Sequence, residues 1–366
     1  MQKDKSMKKL IFLTCAIILI ISSCSEKEIS YNDGIITDEF VYEEASFPSC
    51  HASTIAETPA GLVTAFFGGT HERHPDVCIY VCRQVDGSWT APAEVADGVI
   101  NDTLRYPTWN PVLYQVPEGE LLLFYKVGPH PSQWWGMLKR STDNGVTWSE
   151  AESLPEGYIG PVKNKPVLLD DGTLICPSSK EGNGWRIHFE YTTDFGKTWS
   201  TSEPINEGKI YNAIQPSILM HDDGRLQILG RSRNGVLVTS WSEDNGKSWS
   251  LLRPSGLPNN NSGTDAVTLK DGRHIVVYNH VKTPLNAPKG WRTPLNVAVS
   301  DDGIQWNAAL VLEDSDISQY SYPSVIQSSD GMVHIVYTWR RERIKYVKID
   351  PSKLKTKPIM YEKWPD

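Results

Sequence analysis

Residues able to transfer protons or bind anions are concentrated in short polar segments between the apolar runs of this chain. Carboxyl and imidazole groups act as acids and bases in enzymes, and guanidinium groups bind carboxylates through two parallel hydrogen bonds. Segments of one kind precede an apolar run: SCHAST (49–54), PTWNP (107–111), GPVKNKP (160–166), YNAIQPS (211–217), NSGTDAV (261–267) and QYSYPS (319–324). Segments of the other kind follow one: GGTHERHPD (68–76), YKVGPHPSQWW (125–135), SSKEGNGW (178–185), GRSRNG (230–235), YNHVK (278–282) and TWRRER (338–343). They can form one site only if the fold brings distant parts of the chain together.

A short turn sequence recurs between these segments. It reads STDNGVTWS (141–149), TTDFGKTWS (192–200), SEDNGKSWS (242–250), in shortened form SDDGIQW (300–306), and in degraded form VDGSWTAP (85–92). The Asp side chain can accept N–H groups of its own turn, Gly takes the left-handed conformation, and Trp packs the turn onto its sheet. Such turns join antiparallel strands. We name these segments the Asp turns and interpret them as structural rather than catalytic.

A second repeat consists of apolar hairpins, which predict an all-β fold. Six of them turn at Ala60-Gly61, Glu118-Gly119, Asp171-Gly172, Asp223-Gly224, Asp271-Gly272 and Asp330-Gly331. Each is followed by another strand-like run, and five of the six by an Asp turn or its relic. Units of four strands arranged radially predict a six-bladed β-propeller. The last unit lacks an Asp turn, so we expect ITDEFVYEE (36–44) to supply its fourth strand and close the ring.

The propeller prediction divides the turns between two faces. In an up-and-down meander, the hairpin turns and the Asp turns lie on one face, and the polar segments lie on the other, near the axis. A pocket with converging polar groups is the default hypothesis for a site. The alternative is a solvated rim, but a rim would not need so many Trp residues.

The Asp turns combined with six propeller units resemble the sialidase (neuraminidase) superfamily, in which such turns are called Asp boxes or BNR repeats. The resemblance covers nearly the whole chain after the leader. It implies a substrate carboxylate held by three arginines, a Tyr nucleophile with a Glu partner, and an Asp acid/base. By this resemblance the acid/base is Asp76, with Glu72 as a competitor, and the nucleophile is Tyr322. The second and third arginines are Arg231 and Arg292.

Two positions depart from the family pattern. His51 stands where the first Arg is expected, and Gln215 stands where the Glu partner of the Tyr is expected. A His offers a titratable ring instead of a permanent bidentate charge, and a Gln cannot act as a base. The two departures indicate a sialidase-like enzyme whose sugar need not be sialic acid, and an electropositive mouth on an acidic protein favours an anionic sugar. We expect the same electropositive mouth to be lined by Lys126, Lys163, Lys165, Arg233, Arg340 and Trp135.

The leading functional hypothesis is an exo-glycoside hydrolase. In it, Asp76 or Glu72 protonates the leaving oxygen, and Tyr322 attacks or stabilises the oxocarbenium-like state. We expect a carbohydrate substrate, a monomer, and neither a cofactor nor a metal.

Two other functions stay open. In a polysaccharide lyase acting on a uronate, the arginines neutralise the carboxylate, His51 or His74 removes the C5 proton, and Tyr322 protonates the leaving group. In a non-catalytic glycan-binding lipoprotein, Trp134 and Trp185, with Trp135, stack on sugars.

Composition and the N-terminal segment narrow the cellular setting. A formal charge of -8 without a basic run argues against nucleic-acid binding. The absence of CxxC or Cys/His spacing argues against a disulfide framework and a zinc site. MKK (7–9), an apolar run (10–22) and Cys24 resemble a lipoprotein signal. We therefore expect a leader over 1–24 with lipidation at Cys24, a tether over 25–35, and the propeller over 36–366. The protein is then exported and lipid-anchored to a bacterial outer membrane, on its periplasmic or surface side.

Overall fold

Six sheets of antiparallel strands are arranged as a six-bladed β-propeller, which confirms the predicted fold class. A computed structural model of the protein describes residues 34–284, 287 and 289–365. The predicted leader, Cys24 and most of the predicted tether lie outside these residues, so export and lipidation stay predictions. In the part of the chain that is described, no helix is long and apolar enough to cross a membrane.

The first three blades are meanders in chain order. Blade 1 comprises β2 (Ser49–Thr58), β3 (Gly61–Gly69), β4 (Cys78–Val85), β5 (Ser88–Trp89) and β6 (Ala93–Ala96), and a small hairpin of β7 (Val99–Asn101) and β8 (Leu104–Arg105) follows it. Blade 2 comprises β9 (Thr108–Gln115), β10 (Leu121–Val127), β11 (Trp135–Ser141) and β12 (Glu152–Ser153). Blade 3 comprises β13 (Val167–Leu168), β14 (Leu174–Lys180), β15 (Arg186–Thr192) and β16 (Ser200–Thr201).

The last three blades include both ends of the described chain. Blade 4 comprises β17 (Ala213–Met220), β18 (Leu226–Ser232), β19 (Val236–Ser242) and β20 (Arg253–Pro258). Blade 5 comprises β21 (Asp265–Thr268), β22 (His274–Tyr278), β23 (Leu295–Ser300), β24 (Asn307–Glu313) and β28 (Lys357–Pro358). Blade 6 comprises β25 (Tyr320–Gln327), β26 (Val333–Trp339), β27 (Arg343–Ile349) and β1 (Ile35–Phe40). A 3-10 helix (Pro351–Lys353) follows β27.

The N-terminal strand closes the ring, as the sequence predicts. β1 pairs antiparallel with β27, from Ile35 opposite Ile349 to Phe40 opposite Lys345. The strand begins at Ile35, inside the predicted tether, and ends before residue 44. Val41 and Tyr42 are instead buried in a hydrophobic cluster formed by residues of blades 1 and 6, in which the ring of Tyr42 stacks on Phe66.

The Asp turns join the third and fourth strands of a blade, and their Trp side chains can pack on the neighbouring blade. The Asp143 carboxylate accepts the backbone N–H of Thr147 at 2.8 Å and its hydroxyl at 2.6 Å, which fixes the turn. At the end of another Asp turn, the ring of Trp249 stacks on Phe189 of the preceding blade, with the ring centroids 4.5 Å apart. The turns therefore hold the blades in sequence, as their interpretation as structural elements requires.

Removal of β1 tests the closure. A chain that begins at Val41 leaves β27 as an unpaired edge, whereas a chain that begins at Gly34 keeps the pair. We expect the shorter chain to lose roughly 0.5–1.5 kcal/mol of unfolding free energy for each backbone hydrogen bond removed, and to aggregate. Chemical unfolding and size-exclusion chromatography measure both effects. Equal stability and equal elution of the two chains would show that β1 does not close the ring.

Candidate active site

The innermost strands share an irregularity that directs side chains toward the axis. Ala52, Asn110, Gln215 and Tyr322 have φ values of 58°, 35°, 54° and 53°, and the strand register shifts at each of these positions. A positive φ is uncommon outside Gly and is strained for a large side chain. In three of the four strands a Pro follows (Pro111, Pro216 and Pro323), which a bulge tolerates because no ladder hydrogen bond is needed there.

The bulges surround a cavity of about 190 Å³ at one mouth of the axis. Its lining residues lie at the start of the first strand of a blade, at the end of the second strand of blade 4, or in the loop that follows the second strand of a blade. The sequence predicts the same three kinds of position. All six blades contribute: Glu72, Arg73, Trp109, Asn110, Pro131, Trp134, Glu181, Gln215, Arg231, Lys289, Arg292, Tyr322 and Arg341. The ring therefore brings together Tyr322, Arg231, Arg292, Gln215 and Glu72 of the residues predicted from the sequence.

Arg231 holds the hydroxyl group of Tyr322. Its Nη1 donates to the Tyr322 phenol oxygen and, at 3.0 Å, to Gln215 Oε1. Its Nη2 donates to Asn261 Oδ1 at 3.2 Å, and the guanidinium group lies 4.8 Å from the ring of Trp185. Arg231 is only 6 % exposed. The phenol oxygen thus faces a fixed cation, and the amide beside it cannot accept a proton as a base would.

Three further guanidinium groups line the cavity, those of Arg73, Arg292 and Arg341. Arg292 lies 5.4 Å from the centroid of the Tyr322 ring, and its Nη1 donates to Ser321 Oγ at 3.3 Å. Burial, together with the nearby charges of Arg341 and Arg231, lowers the pKa of Arg292 to about 10. Arg341 forms an ion pair with Glu72 in which Nη1 and Oε2 are 2.7 Å apart. Burial disfavours the Glu72 carboxylate, but the charge and hydrogen bond of Arg341 outweigh it and lower the pKa of Glu72.

Asp76 lies outside the cavity. Its Oδ1 accepts the Thr70 backbone N–H at 3.0 Å, and its Oδ2 accepts the Thr70 hydroxyl at 2.5 Å. His74 Nδ1 lies 2.7 Å from Oδ1, and both side chains are 41 % exposed. Asp76 therefore closes the loop that carries Glu72. Of the two acids predicted from the sequence, Glu72 is the one in the cavity, and the expectation that Asp76 reaches the same pocket as Tyr322 does not match this geometry.

His51 lies beneath Tyr322 rather than in the cavity lining. The two ring centroids are 4.2 Å apart, and His51 Nδ1 is 3.0 Å from the hydroxyl of Thr338. Burial, followed by the charges of Arg341, Arg292, Arg231 and Lys163, holds the pKa of His51 well below its usual value. His51 is thus a neutral ring that supports Tyr322.

A buried network forms the floor of the site. Lys163 Nζ donates to the carbonyl oxygens of Thr264 and Pro323, each at 2.5 Å, and burial lowers its pKa to about 7. Lys165 Nζ lies 2.8 Å from Asp265 Oδ2. Both predicted lysines therefore support the site from below instead of lining it.

Asp265 connects the floor to the neighbouring blades. It accepts hydrogen bonds from Ser217 Oγ and from the backbone N–H of Val325, each at 2.9 Å. Burial disfavours its carboxylate, but the charges of Lys165 and Lys163 outweigh burial and lower its pKa. One carboxylate therefore joins blades 3, 4 and 6 to blade 5.

Four other predicted lining residues lie elsewhere. Trp135 packs against Tyr106 in a hollow between blades 1 and 2, with ring centroids 5.9 Å apart. Arg340 lies 5.0 Å from the ring of Trp339 and lines a neighbouring groove. Lys126 is buried and donates to the Pro161 carbonyl, and Arg233 covers Trp185 at 4.1 Å. Lys126 and Trp135 lie within β10 and β11, whereas Arg233 and Arg340 lie in the loops that follow β18 and β26.

Arg341 is the principal site residue that the sequence did not identify, although the segment TWRRER contains it. Arg340 and Arg341 have φ values of 55° and 67°. Two consecutive left-handed residues reverse the side-chain directions expected of a strand end. The only available signal was the unusual density of arginines in that segment.

The cavity is lined by two carboxyl groups, a phenol and four guanidinium groups, which suits acid/base chemistry on an anionic ligand. Among the described residues, no group of three or more His, Cys, Asp or Glu side chains is arranged to hold a metal ion. The described cysteines Cys50, Cys78, Cys82 and Cys176 are buried and unpaired.

Comparison with known proteins identifies the family. A family model described as a BNR repeat-like domain matches residues 60–335. The chain belongs to the BNR repeat-like family. It is similar to a sialidase of Paraclostridium sordellii, with 25% identity over 240 residues, 56% of this chain and 57% of that protein. A sialidase of Bacteroides fragilis is 22% identical over 223 residues, 52% of this chain and 37% of that protein. The chain thus spans little more than half the length of the first of these curated relatives.

Solved structures show the same fold in this BNR-repeat protein and in enzymes for different sugars. The Hadza microbial sialidase Hz136 is 16% identical, with a TM-score of 0.72 over 87% of this chain and 69% of that chain. A Penicillium chrysogenum alpha-L-arabinanase complexed with arabinobiose is 17% identical, with a TM-score of 0.63 over 88% of this chain and 99% of that chain. The likeness shows the six-bladed propeller fold, and the sugar must be argued from the site.

Replacement of Asp265 tests the buried floor. Asp265→Asn leaves Lys165 and Lys163 without their anion, and breaking a buried pair costs about 3–5 kcal/mol. We expect that loss of unfolding free energy at neutral pH. Because the folded pKa of Asp265 is depressed, its contribution is present above the unfolded pKa of about 3.9 and is lost as pH falls through the folded pKa. Chemical unfolding at several pH values measures both effects.

The matched control is Asp271→Asn, in an exposed hairpin turn where Asp271 pairs with Arg273 at 2.7 Å. A surface pair contributes about 0–1 kcal/mol. If Asp265→Asn were no more destabilising than this control, the buried network would not support the axis.

Proposed function

We propose that this protein is an exo-acting glycoside hydrolase that removes a terminal, carboxylate-bearing sugar from a glycan or polysaccharide. The convergence of Arg231, Arg292 and Arg341 on one cavity that also contains Tyr322 and Glu72 carries the proposal. Guanidinium groups match the geometry of a carboxylate. A cavity of about 190 Å³ favours one terminal sugar over an internal stretch of polymer.

Each group has a role in this proposal. The arginines hold the substrate carboxylate, and Glu72 donates a proton to the glycosidic oxygen as that bond breaks. The phenol oxygen of Tyr322, held by Arg231, stabilises the positive charge that develops at the anomeric carbon, or bonds to it with release of the phenol proton to water, in which case the phenol regains a proton when water displaces it from that carbon. Water then adds to that carbon and returns a proton to Glu72. The anomer released first separates the two roles of Tyr322, because a covalent intermediate retains the configuration and direct attack by water inverts it.

A polysaccharide lyase acting on a uronate is the second candidate. The observation that favours it is the phenol of Tyr322, which Arg231 holds and which has Gln215 beside it where a nucleophilic Tyr would need a carboxylate. A lyase releases an unsaturated sugar that absorbs in the near ultraviolet, whereas a hydrolase does not. Analysis of the released product therefore separates the two candidates.

Turnover of a glycan panel tests the proposed roles. We expect Tyr322→Phe and Glu72→Gln each to lower kcat by at least roughly a hundredfold, the usual scale for losing an acid, base or nucleophile group. The measurement is release of a reducing, carboxylated monosaccharide from glycosides of sialic and uronic acids.

Matched controls are Tyr320→Phe, whose hydroxyl bonds to Ser315 at 2.8 Å, and Asp76→Asn, in the same loop as Glu72. We expect both to stay within a few-fold of the unaltered chain. Near-normal turnover in Tyr322→Phe would exclude its proposed role. A large loss in His51→Ala together with an unsaturated product would favour the lyase, and binding without any turnover would favour a glycan-binding protein.

The binding of the substrate carboxylate by the arginines has a separate test. Arg292→Lys replaces a planar fork with a point charge, so we expect KM for a carboxylated substrate to rise at least roughly tenfold. Arg233→Lys is the control, because Arg233 covers Trp185 outside the cavity. An unchanged KM in Arg292→Lys would remove Arg292 from carboxylate binding.

A further inference from the structure

The ion pair between Arg341 and Glu72 crosses the seam between the last and first blades. Glu72 follows β3 in blade 1, and Arg341 follows β26 in blade 6. The backbone of Arg341 is held at the seam, because its carbonyl accepts the Cys50 N–H at 2.8 Å. The side chains are 24 % and 38 % exposed, and both line the cavity with Tyr322. The pair is thus fixed at its backbone and open to a ligand at its charged ends.

This pair conflicts with the acid role proposed for Glu72. A carboxylate that accepts a hydrogen bond from Arg341 at 2.7 Å is ionised and has no proton to donate. Arg292 and Arg73 also face it and favour the ionised form. His71 and His74 lie in the same loop, and Glu181 lies on the cavity wall. An acid at this position needs an event that removes the influence of Arg341.

Substrate binding supplies such an event. A ligand carboxylate in the cavity is attracted by Arg341 and repels the carboxylate of Glu72, and the ligand also excludes water from Glu72. Burial is already the largest influence on Glu72 and favours its neutral form. Weakening the contact with Arg341 therefore leaves burial and like-charge repulsion acting in one direction, toward protonation.

We propose that a carboxylated sugar takes Arg341 away from Glu72, and that Glu72 then binds a proton and becomes the acid for the leaving oxygen. The inference rests on the proposed function and adds a basis for selecting anionic over neutral substrates. One proton enters from solvent when the carboxylate binds, and it leaves on the oxygen of the departing group. A neutral sugar has no charge with which to attract Arg341 away from Glu72. Glu72 is therefore protonated, and able to act as the acid, only when an anionic substrate is bound.

Proton counting tests the exchange. Calorimetric titration in two buffers of different ionisation enthalpy gives the protons taken up as N-acetylneuraminic acid or glucuronic acid binds, with glucose as the uncharged control. We expect uptake approaching one proton per bound acid at pH values between the pKa of Glu72 in the free protein and its pKa in the complex, and over that range an affinity that falls up to about tenfold per pH unit as the pH rises. Infrared difference spectra should show a protonated carboxyl group forming at the same time.

Two variants assign the proton. Glu72→Gln should abolish uptake and the pH dependence while binding the acids at least as tightly, because the amide no longer competes for Arg341. Arg341→Gln should bind them more weakly and without uptake, because Glu72 is then already protonated or no longer coupled to the ligand. Unchanged uptake in Glu72→Gln would overturn the proposal.

The outcomes also separate this inference from the proposed function. Binding of an acid without proton uptake overturns the exchange alone. Uptake without cleavage of any glycoside supports the exchange and removes the hydrolase. Failure of both acids to bind overturns both, and circular dichroism of each variant shows whether its fold is intact.

Discussion

The carboxylate of Asp265 is the contact on which the axial end of this propeller depends. It is fully buried, it pairs with Lys165 at 2.8 Å, and it accepts the N–H of Val325 at 2.9 Å. Two residues before Val325, the Pro323 carbonyl accepts from Lys163 at 2.5 Å. Tyr322 therefore stands immediately before a segment held at two points. A strained φ of 53° persists for a large aromatic residue only where its surroundings fix it.

The site can form only when the ring is closed, because two of its contacts cross the seam between the last and the first blade. The seam between blades 6 and 1 carries the contact of His51 with Thr338 and the ion pair of Arg341 with Glu72. Neither contact can form between neighbours in sequence, because the partners lie 287 and 269 residues apart. The pairing of β1 with β27 completes blade 6 and thereby fixes the strands from which these partners project.

The sequence predicts the fold well because Asp turns and hairpins are encoded locally. Tyr322, Gln215 and Arg231 are also placed well, since each lies within a strand, near its axial end, where the repeat fixes its position. The choice between Glu72 and Asp76 depends on the path of a loop, and turn chemistry alone does not give that path. Arg341 was missed because consecutive positive φ values at 340 and 341 break the strand alternation.

His51 stands where the sialidase pattern has its first Arg, but the positive charge of that Arg is moved to another position in the cavity and is not lost. His51 is 2 % exposed and neutral, so it fills space beneath Tyr322 and cannot bind an anion as a guanidinium would. Beyond Arg231 and Arg292, the cavity nevertheless has the guanidinium groups of Arg341 in the adjacent blade and of Arg73 in the same loop as Glu72. The positive charge of the cavity is thereby shifted toward Glu72, the group that has to exchange its proton. A carboxylate drawn to that side lies closer to Glu72 than one centred between Arg231 and Arg292, which couples recognition of the anion to the state of the acid.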